Sequence, residues 1–92
     1  MYVLSATLKI SIPHAASLKD KRQVSRSIIE KTRRKFNVSI SEVATQQSPQ
    51  TLTIGLAVVS GEYAHAQNSL EEIIRYIEEN TDGELVGIER ET

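Results

Sequence analysis

The apolar residues change period along this chain in a fixed order: two, then 3.6, two, two, 3.6 and two. Residues 2–12, YVLSATLKISI, place Leu4, Ala6, Leu8, Ile10 and Ile12 on one side and Val3, Ser5, Thr7, Lys9 and Ser11 on the other. Period two over such a length is a half-buried strand. Pro13 ends it. From Leu18 the period lengthens, and turning ~100° per residue gathers Leu18, Val24, Ile28, Ile29 and Phe36 into one arc. Ser17 is placed to cap this helix, Asp20 completes a capping-box variant, and Asn37 is a stop signal. A weakly alternating stretch, NVSISEVA, follows, with Val38 and Ile40 on one side and a bulge expected between Ser41 and Val43. TQQSPQ reads as a turn. Residues 51–59, TLTIGLAVV, alternate again with Leu52, Ile54, Leu56 and Val58 inward. Ser60 is placed to cap a second helix whose apolar arc is Tyr63, Ala66, Leu70, Ile73, Ile74 and Ile77. ELVGIE, after Asp82-Gly83, reads as a last short strand.

The order βαββαβ, with right-handed crossovers and a hairpin between strands two and three, has one compact solution. It is the α+β ferredoxin-like split βαβ: a four-stranded antiparallel sheet in the order 4-1-3-2, with both helices on one face. Ninety-two residues make one such domain, 1–92, with one thin core. No apolar run approaches the ~20 residues of a membrane span. The alternating start does not resemble a signal peptide. A soluble cytoplasmic protein with no membrane partner is expected.

Many unrelated activities share this topology, so each must be tested against residues. An RNA-recognition motif stacks bases on aromatics of its central strands. The third strand, TLTIGLAVV, has no aromatic and no basic residue. An acylphosphatase-like enzyme needs an Arg-bearing loop after strand one, where this chain has IPHAAS. There is no cysteine, so no thiolate nucleophile or cysteine metal site. His14 and His65 stand alone, without a partner at metal-ligand spacing. Glu71-Glu72 and Glu78-Glu79 are adjacent pairs, pointing ~100° apart on a helix, and read as a solvated face. No catalytic residue, metal ligand or cofactor is assigned, and the expectation is a non-enzyme. An ACT-like regulatory domain would normally adjoin a catalytic one.

The charge is what stands out. SLKDKRQVSRSIIEKTRRKF, residues 17–36, holds eight of eleven Lys and Arg. Residues 1–46 carry net +6 and residues 47–92 net −7, hidden in a total of −1. Around the first helix, Lys19, Arg22, Arg26 and Arg33 fall in an arc of about 60° flanking the apolar face, a stripe roughly 21 Å long. Lys19, Lys21 and Arg22 crowd the first turns, where the helix dipole is already positive and a cation costs about 0.3–1 kcal/mol. Lys21, at ~300°, sits on the apolar arc. It either snorkels past the core edge or points into the loop before the helix. Free N–H groups, the dipole and these cations together describe an anion site near Ser17 to Arg22. The nucleic-acid or anion-binding set is therefore Ser17, Lys19, Lys21, Arg22, Arg26 and Arg33. The alternatives are a solvated flank, with Glu30 pairing Arg26 or Arg34, and two complementary helices packed side by side.

SLKDKR at the helix start, Phe36-Asn37-Val38 at its end and the strand Ile54 to Val59 (IGLAVV) resemble the YlxP-like family of small bacterial proteins, nearly end to end. The resemblance implies a ferredoxin-like fold and carries no assigned activity. Genes of such proteins often neighbour transcription and translation-initiation genes, which associates the family with RNA or the ribosome. Some relatives end in a Trp-containing strand, whereas this chain ends GIERET. Two expectations follow. The first is an RNA- or ribosome-associated accessory protein contacting phosphates through helix one. The second is a self-associating module, a homodimer formed through the sheet face or an edge strand.

Overall fold

The computed structural model describes residues 1–91; Thr92, the last residue of the expected domain, lies outside them. The elements are β1 (Tyr2–Ser11), α1 (Leu18–Lys35), β2 (Ser39–Ala44), β3 (Thr51–Ser60), α2 (Tyr63–Asn80) and β4 (Glu84–Glu91). The strands form one antiparallel sheet ordered β2-β3-β1-β4. This is the expected split βαβ. The last strand runs two residues beyond the expected Glu89, because Glu91 still pairs with Ser5.

Strand alternation builds the core. Leu4, Leu8 and Ile10 of β1 and Leu52, Ile54 and Leu56 of β3 are buried against Leu70, Ile73, Ile74 and Ile77 of α2. Tyr63, expected on that arc, is 42 % exposed and meets Tyr2 edge-on, with ring centroids 5.6 Å apart. Ser60 does not cap α2. Glu62 holds the cap position, and the Ser60 hydroxyl accepts the Glu62 N–H at 3.1 Å, bending the chain out of β3.

Two glycines sit where chains pass closely. A Cβ on Gly83 would lie 2.6 Å from Ile10 Cγ2 and 2.7 Å from the Ser11 carbonyl oxygen. A Cβ on Gly55 would lie 2.7 Å from Val43 Cγ1, since a bulge in β2 between Glu42 and Ala44 swings Val43 over β3. A second bulge sets Val86 of β4 out of register beside Lys9 and Ile10. Thr45 opens the β2–β3 turn with φ 57°, and its carbonyl accepts the Ser48 N–H at 3.0 Å.

Candidate polyanion-binding surface

The line of α1 that enters the protein is more polar than its apolar arc implies. Lys21, Ser25, Ile28 and Thr32 are buried, while Val24, Ile29 and Phe36 are half-buried at the margin. A helix tolerates such a line only if each polar group is satisfied. Thr32 donates its hydroxyl back to the Ile28 carbonyl at 2.7 Å. Lys21, 1 % exposed, runs its stem through the core edge. Its ammonium donates to the Thr45 carbonyl at 2.6 Å and the Thr51 carbonyl at 3.3 Å. Glu42 Oε2 lies 3.0 Å away. That oxygen is buried without an aligned hydrogen bond, so the contact with Lys21 is one of charge.

The inclusion of Lys21 in the anion-binding set is therefore corrected. Its positive charge is used inside the domain, tying α1 to both ends of the β2–β3 turn, and cannot reach a ligand. The helix start is also partly occupied by the chain's own groups. Ser17 Oγ accepts the Asp20 N–H at 3.2 Å, and Asp20 Oδ2 accepts the Ala16 N–H at 2.9 Å. The capping box closes on Ala16, one residue before Ser17, and it places a carboxylate where the dipole is positive.

Lys19, Arg22, Arg26 and Arg33 are exposed. Among the described residues the ion pairs are Lys21–Glu42 and Arg90–Glu71, so none of these four has a carboxylate within pairing distance. Glu30 pairs with neither Arg26 nor Arg34. The two helices are not clasped by opposite charge either. Lys35, on the flank of α1 next to α2, lies 5.1 Å from the centre of the Tyr76 ring, which meets Phe36 edge-on at 5.3 Å. Arg33 faces the other way and donates to the Ile40 carbonyl of β2 at 3.1 Å. At ~100° per residue Lys19, Arg22 and Arg26 share the Arg33 side. The stripe thus runs along the β2 side of the domain, away from the Glu-rich α2.

The remaining titratable contact is on β4. Arg90 grips Glu71 of α2 with two hydrogen bonds, 2.6 and 2.7 Å. They hold the Glu71 carboxyl below its ordinary value of 4.5, against an opposing effect of burial. His14 and His65 are both exposed. No three His, Asp or Glu side chains among the described residues converge on a point that could hold a metal ion. Among the described residues no helix is long and apolar enough to cross a membrane. Sequence reasoning missed Glu42 as the partner of Lys21 and Val43 and Val86 as surface residues. The angle of Lys21 was the available signal for the first and the bulge expected between Ser41 and Val43 for the second; nothing in the sequence marked the bulge at Val86.

These features define a single-layer sheet of ferredoxin-like topology, backed by two helices and cationic along one. A solved de novo designed protein with a ferredoxin fold superposes with a TM-score of 0.59 over 99 % of this chain and 84 % of its own. At 18 % identity that likeness concerns the fold. The chain belongs to the family described as Protein of unknown function (DUF503), which matches residues 3–90. It is similar to the Uncharacterized protein YlxP of Bacillus subtilis (strain 168), 38 % identical over 64 residues, 70 % of each chain.

Proposed function

We propose that the protein is a non-enzymatic, cytoplasmic accessory factor that associates with RNA, on the ribosome or on its subunits, through the outer flank of α1. The observation that supports this reading is the stripe of Lys19, Arg22, Arg26 and Arg33, exposed and free of internal carboxylate partners. Cations left unpaired at the positive end of a helix oppose folding. An arriving polyanion removes that opposition. The stripe spans roughly 21 Å, enough to follow several phosphates of one strand. The sheet offers no aromatic platform for bases, so contacts are to phosphate and recognition is by shape.

Four phosphate contacts to single-stranded RNA give a slope near −3 for log affinity against log salt concentration. The test measures RNA binding across salt, with co-sedimentation on ribosomal subunits, for the wild type and for Arg22→Glu/Arg26→Glu. The double variant is expected to bind weakly, with a slope about half as steep. Binding that ignores salt, or that survives the double charge reversal, refutes the proposal.

A further inference from the structure

Strand β2 begins late. Its first rung pairs Ser39 with Ala57, while β3 runs on to Ser60. The chain from Phe36 to Val38 belongs to no element and forms no ladder with the end of β3. A strand edge left without a neighbour turns the N–H and C=O of alternate residues into the gap. The result is a notch of about 500 Å³ at that end of the sheet, within the ~300–1,000 Å³ of small-ligand sites.

The lining of the notch is part apolar and part polar. Val3 and Val59, cross-strand partners 56 and 57 % exposed, supply apolar surface, and Ala57 keeps the space between them and Ser39 open. Asn37 and Ser39 also line it, and among the described residues neither side chain has a hydrogen-bond partner. Arg33 is the one charged residue of the lining, and no carboxylate stands beside it there. Its bond to the Ile40 carbonyl, 3.1 Å from Nη2, holds the guanidinium in place and leaves the rest of its five N–H donors free.

Two observations select the occupant. Arg33 is also the last cation of the stripe, so the cationic flank of α1 runs into the notch. The Asn37 amide sets a donor beside an acceptor, the pattern that the Watson–Crick edge of a base presents. An added peptide strand fits poorly. It could pair only along Val58 to Ser60, ~10 Å of edge, before β2 takes over.

We propose that the notch takes the base of one unpaired nucleotide, splayed out of an RNA whose backbone lies along α1. This rests on the reading of α1 as a phosphate-contacting surface. It names the element of RNA shape that the surface selects, a run of phosphates ending at an unstacked base. Arg33 contacts the phosphate of that nucleotide, Val3 and Val59 cover a face of the base, and Asn37 pairs with its edge.

The test titrates the full chain, across salt concentration, with a short oligouridylate and with an abasic oligoribonucleotide of the same length. The wild type is expected to bind the oligouridylate about tenfold more tightly, both oligomers giving the slope near −3. Asn37→Ala and, separately, Ala57→Leu, which fills the notch, are each expected to erase most of that preference and to keep both the slope and the wild-type circular dichroism spectrum. In a nitrogen-resolved NMR spectrum the Asn37 side-chain amide should shift with the oligouridylate and not with the abasic oligomer. Equal binding of the two oligomers by the wild type overturns the inference and leaves the stripe standing. So does a preference that either folded variant retains, since the base then sits elsewhere. Absence of salt-dependent binding to both oligomers refutes the reading of α1, and this inference with it.

Discussion

Replacing Lys21 with Met tests whether the most deeply placed cation of α1 is structural. Met keeps the stem and removes the ammonium. The Thr45 and Thr51 carbonyls lose their donor, and Glu42 loses its only ion-pair partner among the described residues. Removing one member of a buried ion pair costs about 3–5 kcal/mol. Glu42 keeps 19 % exposure, so water can partly re-solvate its carboxylate, and the lower end, about 3 kcal/mol, is expected. For a domain of this size that lowers Tm by about 12–24 °C. Lys21→Met/Glu42→Gln removes the stranded charge and is expected to recover about 1–2 kcal/mol. Urea denaturation of the wild type, both single variants and the double variant closes the cycle. RNA binding, measured where Lys21→Met is folded, should equal the wild type. Stability within about 0.5 kcal/mol of wild type, or RNA binding lost by the folded variant, would show that Lys21 serves a ligand, and the assignment would be wrong.

Gly83→Ala pushes a methyl group against a backbone carbonyl that cannot rotate away, and is expected to cost about 2–3 kcal/mol in denaturant unfolding. Gly55→Ala meets only the end of the Val43 side chain, which can turn on the open face, so less than ~1 kcal/mol is expected. Glu71→Gln should be less stable than the wild type at neutral pH. Because the folded carboxyl titrates below its ordinary 4.5, its contribution is present above that value and is lost as pH falls through the folded one. The two proteins should therefore converge in strong acid and in high salt, as thermal melts across pH would record. Arg22→Glu/Arg26→Glu should be as stable as the wild type or more stable by up to about 1 kcal/mol, since neither arginine pairs with a carboxylate among the described residues and an acid at position 22 suits the positive end of the helix.

Most of the fold was legible because it rests on periodicity. Alternation in β1 and β3 named their buried residues individually except Thr53, an outward-row residue that is buried with its hydroxyl 2.8 Å from that of Thr45, and the arc expected on α2 is buried except for Tyr63, which is exposed and meets Tyr2. α1 was read less well. Its apolar arc is narrow, and the buried line includes Ser25, Thr32 and Lys21, polar residues admitted because their partners lie close in space. The site divides in the same way. Exposure of Lys19, Arg22, Arg26 and Arg33 follows from helical geometry alone. The fate of Lys21 depends on Glu42 and on carbonyls 24 and 30 residues away.

Sequence by itself determined which residues lie in strands and helices, the antiparallel order of the sheet and the segregation of charge. Each of these is a property of neighbours a few positions apart, repeated at the period of a strand or a helix. Tertiary structure alone decided which charges are neutralised and which are left to solvent. It also decided where the bulges throw Val43 and Val86. Those outcomes depend on distances between segments remote in the chain, which no local pattern encodes.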